Sequence, residues 1–191
     1  GNSGALQSEG SLTVDASGHT LTNSGVIYAK GGTGDTLSLT ASQLANSGTI
    51  QGNNTTTVSA TLNSGNSVDN SGTLYGVGAL SVSAGANINN ASSGQILGGS
   101  SLSLATTAAN AGLSNAGRIQ SSGAMTLGGT DHTLNLNNSA TGSVILSDST
   151  LAVTGGSLAN LGLIQAKTGA TVSGSSFTNT GSSSAFIAST D

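Results

Sequence analysis

The chain has 191 residues, 30 of them Gly, with no Pro, Cys or Trp, 2% aromatic and 5% charged residues, and a formal net charge of −4. Three Lys and Arg side chains are too few for a phosphate-neutralising face, which excludes nucleic acid as a partner, and the lack of Cys excludes disulfides and thiolate metal sites. No apolar run approaches the ~18 residues of a spanning helix, so no membrane insertion is expected, while a 35% hydrophobic share is enough to build a core.

From the first residues onward one short pattern returns. An Asn is followed two residues later by Gly at Asn2, Asn23, Asn46, Asn70, Asn115, Asn160 and Asn179, and four residues later at Asn90 and Asn138. The steps between these nine asparagines are 21, 23, 24, 20, 25, 23, 22 and 19 residues. Two residues before each Asn stands an apolar side chain, at Leu21, Leu44, Val68, Ile88, Leu113, Leu136, Leu158 and Phe177. Two residues after the Gly stands another, at Leu6, Ile27, Ile50, Leu74, Ile96, Ile119, Val144 and Ile164, with Ser183 breaking the rule in the last copy. Midway lies an apolar-x-apolar pair, clearest at Leu12/Val14, Leu37/Leu39, Leu80/Val82, Leu102/Leu104, Met125/Leu127 and Leu151/Val153, and weaker at Val58/Ala60 and Ala170/Val172. Asn63-Ser64-Gly65 falls outside the series, because Thr61 replaces the apolar residue.

A spacing of two is that of strands with one buried face, and no helical i, i+3, i+4 spacing is sustained. Three short strands per repeat, joined by Gly, Ser and Asn corners, predict an all-β chain: a parallel β-helix of 8–9 coils of about 22 residues each. Residues 1–191 are read as a single segment of it, right-handed by the general preference of parallel crossovers. At about 4.8 Å per coil the stack would be roughly 40 Å long. The small residues Ala29, Gly52, Gly76 and Gly98 are expected to point inward. An inward Asn at each corner can satisfy unpaired backbone groups and bond to the Asn of the next coil. Asn23, Asn46, Asn70, Asn90, Asn115, Asn138, Asn160 and Asn179 are therefore expected to form a structural ladder, with the Gly that follows each at positive φ. The longer stretches 53–57, 106–112 and 129–135 are expected to bulge as surface loops.

These repeats resemble those of the filamentous haemagglutinin family, the large exoproteins of two-partner secretion and contact-dependent growth inhibition. The family pattern Leu-x-Asn-x-Gly-x-Ile-x-Ala, followed by Leu-x-Leu-x-Ala, is matched by Leu44-Ala45-Asn46-Ser47-Gly48-Thr49-Ile50-Gln51-Gly52 and by Leu37-Ser38-Leu39-Thr40-Ala41. The match runs to about Gly181 in eight or nine copies. The resemblance implies a secreted or cell-surface fibre of a Gram-negative bacterium, a right-handed parallel β-helix, and export through an outer-membrane two-partner secretion transporter. The family's secretion domain carries Asn-Pro motifs and this chain has no Pro. The chain also lacks the Val-Glu-Asn-Asn motif that precedes some of the family's toxin ends, so it reads as an internal piece of the shaft, a virulence-type adhesin or a toxin-delivery stalk.

Candidate sites are few. Glu9, Asp15, Asp35, Asp69, Asp131, Asp148 and Asp191 occupy different repeat positions, except that Glu9 and Asp148 share one, six coils apart. Lys30, Arg118 and Lys167 are equally dispersed, and His19 and His132 lie too far apart to share a metal. No catalytic or metal site and no cofactor are expected. Gly31-Gly32-Thr33-Gly34-Asp35 falls one residue short of a calcium-binding nonapeptide and is not repeated in tandem. Asn54-Thr55-Thr56 is a weak glycosylation sequon. The threonine runs do not align between coils as an ice-binding surface would require. One outward column carries larger side chains: Gln7, Tyr28, Gln51, Tyr75, Leu97, Gln120, Ile145 and Gln165. Within it Tyr28, Gln51, Tyr75 and Leu97 are the candidate binding residues for a glycan or a cell-surface receptor.

Overall fold

The computed structural model describes residues 1–128 and 134–180, together with the backbone of the strand at 187–189. Asp131, His132, Ser183, Asp191, Gly181 and most of the 129–135 stretch lie outside the described residues. Among the described residues there is no helix, and the strands stack as a parallel β-solenoid.

Each coil contributes three strand positions. The first follows the corner Gly and builds a nine-stranded sheet from Ala5–Ser8 to Ile187–Ser189. Its register is flush: Ile27 pairs with Ile50, Ile50 with Leu74, Leu74 with Ile96 and Ile96 with Ile119. The second position carries the midway pair and the third carries the Asn. These two columns merge into a 13-stranded sheet because Leu12–Asn23, Thr36–Asn46 and Thr150–Asn160 run through the intervening bend as single strands. In the first coil that bend bulges at Ser17-Gly18-His19, where Gly18 has φ +76° and the pairing with the next coil slips.

Alternation sets the core. Leu21, Leu44, Val68, Ile88, Leu113, Leu136 and Leu158 from the third strands meet Ile27, Ile50, Leu74, Ile96 and Ile119 from the first, and Leu37/Leu39 to Leu151/Val153 from the second. Ala29, Gly52, Gly76 and Gly98 are buried beside them, as expected, at the end of the first strand. Leu6 and Phe177 are 38% and 53% exposed, each at one end of the described stack with a described neighbour on one side only. Asn63-Ser64-Gly65 is an exposed loop outside the ladder.

Four sequence expectations are corrected. First, Ile145 is buried and Val144 is not: Ile145 pairs with Ile119 and Val144 with Arg118. The corner after Asn138 holds one residue more than its Gly142 suggests, so Ser143 takes the place that Gly117 has one coil earlier, and Leu146 occupies the outward column. Second, the inward pair of the third coil is Thr56/Val58, in register with Leu37/Leu39, while Val58/Ala60 is offset by one pair. Third, Thr55–Ala60 is accordingly a strand with Thr56 in the core, and 53–57 does not bulge. The 106–112 stretch does leave the sheet, but only after Thr106, which is buried.

Fourth, among the described residues the Gly two residues after the ladder Asn does not have positive φ; the described positive-φ glycines are Gly18, Gly34, Gly65, Gly128 and Gly169. It is needed for close approach instead. A Cβ on Gly72 would lie 2.6 Å from the carbonyl carbon of Ser47, and one on Gly117 would run into the carbonyl oxygens of Ala91 and Gly94.

Candidate functional site

The corner between third and first strand is the most regular polar feature. Each Asn side chain donates from Nδ2 to Oδ1 of the Asn one coil on: 2.8 Å from Asn2 to Asn23, and 2.8 Å at each further step through Asn46, Asn70, Asn90, Asn115 and Asn138 to Asn160. The last step, Asn160 to Asn179, is 3.0 Å. The second Nδ2 hydrogen reaches a first-strand carbonyl of the next coil, as from Asn46 to Thr73 O at 3.1 Å and from Asn115 to Val144 O at 3.2 Å. Backbone bonds complete the joint: Asn46 O accepts from the amides of Ser71 and Gly72 at 2.8 and 3.1 Å. From Asn23 to Asn160 these side chains are at most 2% exposed. A buried amide left unbonded would be costly, so the same geometry that fills the corner also enforces coil register.

The outward column of the first sheet lies on a different face. Tyr28, Gln51, Tyr75 and Leu97 are consecutive partners across four coils, each half-buried, and Gln120, Leu146 and Gln165 continue the line. Tyr28 Oη accepts a 3.0 Å bond from Asn53 Nδ2, and Gln51 Nε2 donates to Asn53 Oδ1 at 3.2 Å. One edge of the strip is thus held, and Tyr75 and Leu97 offer an apolar surface beside it.

Charged groups do not converge. Lys30 Nζ and Glu9 Oε2 form a 2.7 Å ion pair between the first two coils, both exposed, and the Glu9 carboxylate raises the Lys30 pKa. The Ser17 hydroxyl, then its amide, hold Asp15 below the usual carboxylate range. Asp148 occupies the corner position of Glu9 and Lys30: its amide bonds back to Ser121 O as that of Lys30 does to Ser8 O. Asp35 closes its own glycine-rich turn, accepting 2.8 Å from Gly32 N and 2.9 Å from Ser11 Oγ. His19 is exposed. No group of three or more His, Cys, Asp or Glu side chains gathers among the described residues. The Asn54 amide is engaged with Asp35 O at 3.2 Å, and Thr56 of its sequon is buried.

Compared with protein-family models, curated proteins and solved structures, the chain matches none. The site must therefore be read from its own geometry.

Sequence reasoning passed over the outward side of the third strands, which is rich in amides. Gln43, Asn66, Asp69 and Asn89 form one network there: Asp69 Oδ1 accepts 2.7 Å from Asn66 Nδ2 and 3.1 Å from Asn89 Nδ2, and Gln43 Nε2 reaches Asn66 O at 3.0 Å. Asn87 and Asn135 cap neighbouring backbone, accepting from Gly112 N at 2.7 Å and Ser157 N at 3.1 Å. The signal was present as polar residues one, three or four places before the ladder Asn, at Asn66, Asp69, Asn87, Asn89, Asn135 and Asn137.

Proposed function

We propose that this chain is a shaft segment of a secreted or cell-surface fibre, a non-enzymatic spacer that projects an adhesive or toxin-delivery element. What supports this reading is the unbroken corner ladder, which carries eight consecutive coil-to-coil bonds and ties every described coil to the next. A repeat whose coils differ mainly on their outer faces supplies length without needing a fixed chemistry at any one of them. A neutral, thiol-free, aromatic-poor chain also suits passage through an outer-membrane transporter before folding. The resemblance to the filamentous haemagglutinin repeat supports reading that export as one across a Gram-negative envelope.

The test removes one coil in the producing cell. Deleting residues 46–69 joins Ala45 to Asn70 and keeps the repeat phase. Export to the cell surface and distal activity are expected to persist, and both are expected to be lost when the partner transporter is deleted. A chain that remains inside the cell would contradict the reading.

The Tyr28–Leu97 line favours a second reading, a module that binds a glycan or receptor on its first-sheet face. Under it, the coil deletion and the double variant Tyr28→Ala/Tyr75→Ala each abolish cell or glycan binding. Under the shaft reading neither does.

A further inference from the structure

The sixth coil is a waist between two coils with longer corners. Asn115 reaches Arg118 in three residues, whereas the paired stretches Asn90 to Gln95 and Asn138 to Val144 take five and six. The additional residues, among them Ser92, Ser93, Thr141 and Gly142, are exposed and stand on either side of the tight Asn115-Ala116-Gly117 turn. A depression of about 310 Å³ crosses the third-strand face here, floored by Gly112 and Ser114 and walled by Asn87, Asn89 and Asn137. A second, of about 590 Å³, lies between the long corners over Ala116, Gly117 and Arg118. The two depressions flank the buried Asn115, with Gly112 to Ser114 lining one and Ala116 to Arg118 the other, and together they make a two-part trough on either side of the corner.

Its polar groups are not all used internally. Asn89 donates to Asp69 and Asn87 accepts from Gly112, while Asn89 Oδ1, Asn87 Nδ2 and both polar atoms of Asn137 keep hydrogen-bonding capacity facing outward. Arg118, exposed at the far end, donates from Nε (2.7 Å) and Nη2 to the single oxygen Gln120 Oε1. That fixes the guanidinium plane and leaves three of its five N–H groups open. No carboxylate lines either depression.

From this arrangement we infer that the trough binds a linear glycan carrying a carboxylated sugar. Sugar hydroxyls exchange donor and acceptor bonds with the Asn87, Asn89 and Asn137 amides, and the carboxylate meets Arg118. The site adjoins the end of the Tyr28–Leu97 strip through Gln120, the register partner of Leu97, but uses neither tyrosine and does not depend on secretion. Only mixed donors and acceptors on one flank with a lone cation at the other match both features: a neutral glycan leaves Arg118 unused, and a polyanion meets no second cation.

The purified chain is titrated calorimetrically with a linear glucose hexamer whose terminal sugar alone is oxidised to glucuronic acid, and with the methyl ester of that one acid. The acid is expected to bind about tenfold more tightly than the ester, the worth of one charge-assisted contact. Arg118→Gln is expected to lose that factor and the discrimination with it. Asn137→Leu, an exposed change, and Ser114→Leu, which fills the floor, are expected to remove binding at an unchanged thermal midpoint; Tyr75→Ala is expected to keep it. Equal binding of acid and ester, full affinity in Arg118→Gln, or no binding of either sugar would overturn the assignment.

Discussion

At the residue scale, an apolar interior of Leu, Ile and Val carries a buried column of Asn amides at one corner. Asn115 shows why that is stable. Its Nδ2 serves Asn138 Oδ1 and Val144 O, and its Oδ1 accepts from Asn90, so both ends of the amide are bonded inside the protein. Asn115→Ala leaves the buried Asn138 Oδ1 without its donor and breaks the ladder on both sides, although Asn90 Nδ2 keeps Gly94 O and Arg118 O, and is expected to cost ~1–3 kcal/mol in denaturant unfolding. Thr56 is the counter-example: its hydroxyl is buried without a partner in a column otherwise held by Leu37 and Leu80. Thr56→Val keeps the shape and removes the stranded group, so it is expected to raise stability by ~1 kcal/mol. A lower midpoint for Thr56→Val would mean that the hydroxyl has a partner after all.

At the scale of strand and corner, register is decided by pairing between coils, and this marks the limit of what the sequence reveals. The Asn column, the period of two and the three strand positions could be read directly, because each recurs at a nearly constant step. Ile145 could not. Val144, Ile145 and Leu146 are all apolar, so alternation is silent on which one points inward, and a slip of one residue exchanges the faces. Gly142 supplied a false landmark, with nothing within 4 Å of where its Cβ would be. Thr56 was hidden for the opposite reason, inside Thr55-Thr56-Thr57, where composition suggests a loop. The amide trough escaped notice because outward polar residues look alike until stacking shows which of them adjoin a Gly and Ser floor. The corner glycines recur for lack of room rather than for turn conformation, and this has its own consequence. Gly117→Ala is expected to lose ~1–3 kcal/mol by forcing adjacent coils apart, whereas Gly142→Ala is expected to be neutral in the same unfolding assay.

At the scale of the whole molecule, the stack is a one-dimensional array in which each coil is stabilised by its neighbours. Its buried polar groups among the described residues are Asn, Ser and Thr, none of which titrates. Acid unfolding usually follows protonation of paired or buried carboxylates. Here Asp15, with its lowered pKa, contributes above the normal carboxylate range and loses that contribution as the pH falls through its folded value. Lys30, with its raised pKa, contributes up to the normal lysine range and loses it above. Both are fully exposed, so neither carries the fold. The far-ultraviolet spectrum is expected to be the same at pH 3 and pH 7; loss of the strand signal at pH 3 would reveal a buried charge.

The account as a whole depends on coils locked together through the Asn corner. Hydrogen exchange of side-chain amides by NMR tests that most directly, because the chain carries its own control in the exposed Asn63. The Nδ2 hydrogens of Asn23, Asn46, Asn70, Asn90, Asn115 and Asn138 are predicted to exchange orders of magnitude more slowly than those of Asn63, and to do so together, since opening one corner breaks its neighbours' bonds. Exchange of all six at the rate of Asn63 would contradict the ladder and the stacked fold that rests on it.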